Sequence, residues 1–318
     1  MTAPTVRHQP VRHRPVQRLG DRIFSGSALT AGSLILAALA LVAGFLVLES
    51  VPAVTTPVDE ISILDGETLW DYAWPLIFGT VWAAFLALLM AIPVSIGIAL
   101  FISHYAPRRL AQGLGYVVDL LAAVPSVVFG LWGGNVLAPL VQPFYVWLWE
   151  AFSWIPLFAG PPSGTGRTIL TAAVVLAVMV LPIITAISRE VFLQTPKLHE
   201  EAALALGATR WEMIRMAVFP FGRAGIVSAS MLGLGRALGE TMAVAMVLSA
   251  TGVVTFNLIS SGNPSTIAAN IALSFPEAYG TNVNVLIATG LMLFAITLIV
   301  NALARFVIGR RKAFSGAN

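Results

Sequence analysis

The charged residues of this chain are bunched, and the gaps between them are long. Residues 23–48, 72–107, 120–149, 168–188, 241–276 and 278–304 contain no Asp, Glu, Lys or Arg. A bilayer core about 30 Å thick takes roughly 20 apolar helical residues to cross. Backbone polar groups inside it must bond to one another, which favours helices. Each gap is long enough for one span, and the longer ones also hold part of a loop. Six spans are expected, near 23–48, 73–103, 113–141, 168–188, 224–250 and 282–304. The chain is 58% hydrophobic and only 10% charged, where soluble domains run near 25% charged. A soluble globular enzyme and a disordered chain are both excluded. Cysteine is absent and only four His are present. That removes a thiol nucleophile, a Cys-based zinc or iron–sulfur site and a His-rich metal centre.

The first span does not read as a cleaved signal peptide. It follows a 22-residue tail and lacks a small-residue cleavage site before Glu49. Basic residues set the orientation. They collect in the tail (Arg7, Arg12, Arg14, Arg18, Arg22), after the second span (Arg108, Arg109), after the fourth (Arg189, Lys197, Arg210, Arg215, Arg223) and at the C-terminus (Arg305, Arg310, Arg311, Lys312). These groups hold 16 of the 18 Lys and Arg residues, so both termini are expected in the cytoplasm of a multi-pass protein of the cell membrane. The first outer loop is acidic, with Asp59, Glu60, Asp65, Glu67 and Asp71.

Four regions follow. Residues 1–22 read as a flexible basic tail, a solvated flank rather than a nucleic-acid arm. Residues 23–71 hold the first span and the acidic loop, 72–305 the main membrane domain, and 306–318 a second basic tail. The aromatic stretch 142–167 reads as an interfacial loop or short re-entrant helix, since Pro143, Glu150 and Pro156 interrupt it. GPPSGTGRT (160–168) lacks the Lys and the spacing of a phosphate-binding loop. GLGRALG (233–239) lacks dinucleotide-loop spacing. Its glycines are expected to let another helix approach.

The segment 195–222, TPKLHEEAALALGATRWEMIRMAVFPFG, is polar enough to lie outside the bilayer. Thr195 is placed to cap a helix starting at Pro196. Gly207 releases that helix. Thr209 and Glu212 form a capping box for a second one, which Pro220 is expected to stop. Such a pair serves as an interfacial amphipathic hairpin or as a docking knob for a soluble partner.

Arg236 and Glu240 fall inside the fifth expected span. A central Arg costs about +3 kcal/mol on insertion scales. Spaced four apart, the two would share a helix face. They pair with each other, or each pairs with another helix. One reading is a structural salt bridge. The other is an anion station, because the planar Arg fork matches oxyanions bidentately. Glu240 would then hold the fork and weaken the field so that the anion can leave. Asp119, at the start of the third expected span, either reaches Arg236 or lies at the cytoplasmic interface.

The segment 195–222 resembles the signature of ABC importer permeases. Glu201, Ala202, Ala203 and Gly207 match it, and Ala217, Phe219 and Pro220 take its closing positions. Three further stretches resemble the PstC-type permease of phosphate importers: DLLAAVPSVVFGLWG (119–133), LPIITAISREVF (181–192) and GLGRALGETMAV (233–244). The resemblance implies an all-α, six-span permease of the type I importer fold, with 195–222 as the coupling segment. It implies that Glu201, Ala202, Ala203, Gly207 and Pro220 mark the contact with an ATPase. Arg236 and Glu240, with Asp119 as a further candidate, would mark the path. The partners it implies are a homologous PstA-type permease subunit, two cytoplasmic ATPase subunits and an external phosphate-binding protein. Inorganic phosphate is the expected cargo. No cofactor is expected on this chain, ATP and Mg being held by the ATPases. The alternatives are a permease for another oxyanion, such as sulfate or molybdate, and the PstA-type subunit itself. No Ser/His, paired-Asp or metal-ligand set falls within the spans, which argues against an intramembrane enzyme.

Overall fold

The computed structural model describes residues 19–312, with side chains described over 20–306. The expected tail 1–22 therefore lies almost wholly outside the described residues. Among those described, helices account for all regular structure, and a single isolated bridge joins Pro162 to Ser260. Six helical stretches are long and apolar enough to cross a membrane.

The chain divides between Leu48 and Glu49 into two contact units. The described part of the first belongs to helix α1 (Leu19–Thr55), and its side chains are exposed at nearly every position. An apolar helix exposed all round suits lipid.

The second unit begins with the end of α1 and two short turns, Val58–Glu60 and Ser62–Leu64. Ala53, Ile61 and Leu64 pack there with Val285 and Ala288. Thr68 then caps α2 (Leu69–Leu100) by accepting from the Asp71 N–H at 3.2 Å. A π turn, Phe101–Tyr105, ends this span.

The third span departs from expectation. Residues 108–122 form a separate helix, α3 (Arg108–Ala122), and the span runs from Ser126 to Phe152. It comprises α4 (Ser126–Trp132), a π turn over Gly133–Leu137, and α5 (Ala138–Phe152). The break between α3 and α4 falls at Pro125, which disfavours helix in the residue before it. Residues 142–152 are therefore the end of a span, not a loop. Pro143 lies inside α5, where it removes one N–H from the helical ladder.

Helix α6 (Ile169–Leu193) is the central post. It packs along α2 through small residues, among them Ala83, Ala84, Ala87, Ala172, Ala173 and Ala177. Ser95 Oγ donates to Leu181 O at 3.1 Å, so a polar group bridges the two helices. Close backbone approach and interhelical hydrogen bonds hold helices together in lipid, where burial of apolar area gives little.

After α6 come α7 (Lys197–Ala205), α8 (Arg210–Met213), a π turn over Ile214–Val218, and α9 (Phe219–Leu238). Pro220 does not stop the second helix. It sits in the first turn of α9, just past the π turn, where its missing N–H leaves no broken bond. The fifth span consequently starts earlier than expected, at Arg210, and ends at Leu238. A short helix, α10 (Met242–Val247), follows, then a loop, α11 (Ile267–Ser274) and the last span, α12 (Thr281–Lys312).

The loops at the N-terminal end of α6 are tied by two asparagines. Asn263 Oδ1 accepts from Ile169 N at 3.0 Å, while its Nδ2 donates to Ser249 O and Ser260 O. Asn257 Oδ1 accepts from the N–H groups of Ile259 and Ser260, and its Nδ2 donates to Ala159 O. The GPPSGTGRT stretch belongs to this cap. Gly166 has φ +70°, and a Cβ there would collide with Ala138 O. Gly160 likewise takes a positive φ, +91°.

Candidate translocation and coupling sites

Helix α9 lies along α6 on a row of glycines. A Cβ at Gly222 would lie 3.1 Å from the Phe192 ring, and one at Gly233 would lie 2.7 Å from Ile184 Cδ1. Gly233 thus makes the close approach expected of the 233–239 stretch. Gly235 has open space around it. Ile184 sits just past the middle of α6, so Arg236, one turn beyond Gly233, is at mid-span height.

Arg236 is half-buried. With Ser228, Met231, Asn301 and Arg305 it lines a cavity of about 700 Å³ between α6, α9 and α12. Among the described residues no ion pair joins Arg236 to Glu240 or to any other carboxylate. The shared helix face is not formed. Helix α9 ends at Leu238, with Gly239 N–H bonding back to Gly235 O at 3.3 Å. Glycines at 235 and 239 weaken the helix where it stops. Glu240 lies beyond the break and is only 8% exposed. Its Oε1 accepts from Ala243 N at 3.1 Å and so caps α10. Helix α10 in turn is seated on α4 and the π turn that follows it. Cβ atoms at Gly130, Gly133 and Gly134 would lie 2.9, 2.8 and 2.8 Å from Ala243, Val247 and Met246.

Asp119 is not brought to Arg236. It lies on α3, with its Oδ2 3.6 Å from Arg189 Nη2 near the end of α6. That is the interfacial alternative. Asn301 and Arg305 were not singled out in the sequence as site residues. Arg305 counted there only as a terminal charge. The available signal was Asn301, a polar residue four before Arg305 in an otherwise apolar run.

The segment 195–222 has the expected helix–turn–helix shape, with two changes. Thr195 does not cap α7. The helix starts one residue later, behind Pro196, and the Thr195 hydroxyl is buried without a hydrogen-bond partner. The second helix continues into the span. The turn itself is as expected. Gly207 takes φ +87°, and Ala208 N–H reaches back to Ala203 O at 3.2 Å, the six-to-one bond of a Schellman end. Thr209 and Glu212 form the capping box, with Thr209 N–H donating to Glu212 Oε2 at 2.8 Å and Glu212 N–H donating to Thr209 Oγ1 at 3.3 Å.

Ile214 and Val218 are buried with Ala99, Leu100 and Phe192, and Ala203 packs against that cluster. This anchors the knob to the ends of α2 and α6. His104 Nε2, 3.4 Å from Glu200 Oε1, ties α7 to the π turn of α2. The outward side is apolar and open. Leu198 is 74% exposed, Leu206 90% and Trp211 55%, and Glu201 and Ala202 are exposed beside them. Pro220 is exposed at the base of α9.

Six apolar helical stretches among the described residues, a packed knob beside them and a half-buried cation facing a cavity describe a multi-pass membrane protein. The chain belongs to the family of binding-protein-dependent transport system inner membrane components, whose model matches residues 91–313. It is similar to the phosphate transport system permease protein PstC 2 of Mycobacterium tuberculosis, at 46% identity over 93% of this chain and 94% of that protein. It is also 45% identical to the phosphate transport system permease protein PstC of Mycobacterium leprae, over 93% of this chain and 95% of that one. Among solved structures, a bacterial ABC transporter involved in import of the acidic polysaccharide alginate matches with a TM-score of 0.61. That match is 17% identical and covers 91% of this chain and 96% of the other, so it supports the fold alone.

Proposed function

We propose that this chain is the PstC-type permease subunit of an ATP-driven importer and forms half of the membrane path for inorganic phosphate. A homologous PstA-type subunit supplies the other half, and an external binding protein delivers the anion. Two ATPase subunits, carrying ATP and Mg, dock on the knob built from Glu201, Ala202, Ala203 and Gly207. Both termini lie on the cytoplasmic side with it. This chain carries out no chemistry. Its work is to change which side of the path is open, driven by differential binding in two states.

The observation that carries the reading is Arg236: a mid-span cation lining a cavity with Arg305 and Asn301, with no carboxylate paired to it among the described residues. A helix lock would have used the available charge. An anion station needs the guanidinium free to turn toward its cargo. Glu240 acts by holding the break after α9 in place, so that Arg236 sits at the end of a helix able to shift against α10. Asp119 acts at the cytoplasmic end of α6 through Arg189 and not on the anion at Arg236.

The test is phosphate uptake into vesicles containing the chain and its copurified partners. Arg236→Gln should abolish uptake while the complex is recovered intact, and Arg236→Lys should reduce it strongly. Excess sulfate or molybdate should not compete. Undiminished uptake by Arg236→Gln would refute the anion station. Equal competition by sulfate would favour the general oxyanion permease.

A further inference from the structure

A second cavity, of about 560 Å³, lies on the same membrane face as the knob and away from Arg236. The π turn after α2, α3, the end of α6 and the start of α7 enclose it. Arg108, Arg189 and Lys197 line it, with the polar side chains of Ser103, Gln112 and Tyr116, and Asp119 is the sole carboxylate in its lining.

The placement of these cations is unusual. Arg108 is the first residue of α3 and Lys197 the first of α7. Both helices start behind a proline, Pro107 or Pro196, without a side-chain cap. A cation at a helix N-terminus opposes the helix dipole, where an anion is favoured. Both chains thus put positive charge where each helix already presents free N–H groups, and both aim at one cavity. Arg189 is held over Gly115, where a Cβ would collide with its Nη1. Its Nε is buried and has no hydrogen-bond partner, and Asp119 occupies only one edge of the guanidinium. The cavity therefore carries two uncompensated positive charges and unused donors.

The surroundings indicate where the anion comes from. Helix α3 exposes Leu110, Val117, Leu120 and Leu121, and Leu193 at the cavity's rim is 57% exposed beside Tyr116 at 76%. A cationic cavity opening onto an apolar face beside an interfacial aromatic suits a headgroup whose acyl chains stay in the bilayer. A freely diffusing anion would have no use for that face.

We propose that this cavity binds the phosphate group of an anionic phospholipid, whose acyl chains lie along α3 and the end of α6. The bound headgroup bridges Arg108 and Lys197 and so links α3 to the first residue of the knob. Ser103, on the same wall, precedes His104, whose ring meets Glu200 of α7. Occupancy braces the knob against the spans.

The intact transporter, extracted with its partners, is placed in nanodiscs of phosphatidylcholine with or without phosphatidylglycerol. Lipid retained after detergent exchange is read by native mass spectrometry, which does not depend on what the transporter carries. Arg108 and Lys197 are both exposed, so Arg108→Gln with Lys197→Gln should fold and insert normally, and ATPase recovery is measured beside lipid retention because Lys197 opens the proposed docking knob. Phosphatidylglycerol retention should fall about thirtyfold, from about 1 kcal/mol per basic residue. The swap Arg108→Lys with Lys197→Arg should keep it. Equal retention by the wild type and the double Gln variant would overturn the proposal. If inorganic phosphate binds the lipid-free complex through Arg108 and Lys197 while phosphatidylglycerol is not retained, the lipid assignment is overturned and a free anion is the occupant.

Discussion

Replacing Glu240 separates its charge from its role as a helix cap. Its Oε1 accepts the Ala243 N–H at 3.1 Å while the side chain is only 8% exposed. Glu240→Gln keeps a carbonyl oxygen of the same reach, so the cap survives. Glu240→Ala removes it and should cost about 0.5–2 kcal/mol, the usual range for a lost side-chain cap. Glu240→Arg puts a cation at a helix start and in a buried place, where an unpaired charge costs about 3–5 kcal/mol. The expected order of thermal stability of the purified complex is therefore wild type near Gln, then Ala, then Arg. The exchange Arg236→Glu with Glu240→Arg should restore neither assembly nor transport, because the two residues are not partners. Uptake by Glu240→Gln should stay close to wild type, because the cap that holds the break after α9 survives. A Gln variant as unstable as the Ala variant would refute the capping argument. Near-normal uptake by the exchanged pair would show a salt bridge after all and sink the anion-station reading.

Two further outcomes are expected. Single cysteines at Asp65 and Thr165, both exposed, should react with an impermeant reagent from outside and one at Thr209 should not, in a chain that has no cysteine of its own; external labelling at 209 would overturn the orientation. Gly207→Leu has room for the side chain but not the backbone, since φ is +87° and nothing lies within 4 Å of a Cβ; the knob should lose its turn, so that ATPase association or coupled uptake falls while the spans still insert, and normal binding with normal uptake would refute the docking assignment.

The spans were legible because lipid imposes one rule on every residue of a gap: no unpaired charge and a helical backbone. Local chemistry also carried through at the knob, where Gly207, Thr209 and Glu212 act within one six-residue stretch. What the sequence did not expose depends on register and tertiary contact. Residues 108–122 are as apolar on one side as a span, and only the break at Pro125 separates α3 from α4. Pro220 reads as a stop, yet a π turn one residue upstream lets the helix absorb it. Arg236 and Glu240 satisfy a four-residue spacing, but that rule requires an unbroken helix, and α9 ends between them, at Leu238, with Gly239 following. Arg305 joins Arg236 only through the packing of α12 on α9, which no local pattern encodes.

The continuity of the fifth helical stretch gives the coupling proposal a mechanical form. From Arg210, beside the exposed Trp211, helical backbone runs without a gap to Leu238. The 26 residues from Arg210 to Arg236 span about 39 Å at 1.5 Å rise each. One rod therefore connects the proposed ATPase contact to the proposed anion station. Its base is buried against α2 and α6 through Ile214 and Val218, and its tip, with Ala237 and Leu238 buried in the main core, ends at the Gly239 break. Movement of the knob is then expected to arrive at Arg236 as a shift of a rigid body, through no relay of side chains. Ala224 is exposed, midway along the helical stretch from Arg210 to Leu238. Ala224→Pro would remove one rung of the ladder and kink the rod at a cost of about 3 kcal/mol, touching neither end. ATPase subunits should still bind and hydrolyse ATP, and phosphate uptake per ATP should collapse. Exposed Ala224→Ser, which keeps the ladder, should leave both unchanged. If Ala224→Pro transports with the wild-type ratio of uptake to hydrolysis, the rod is not the coupling element, and the force must pass instead through the packing of α6 on α2.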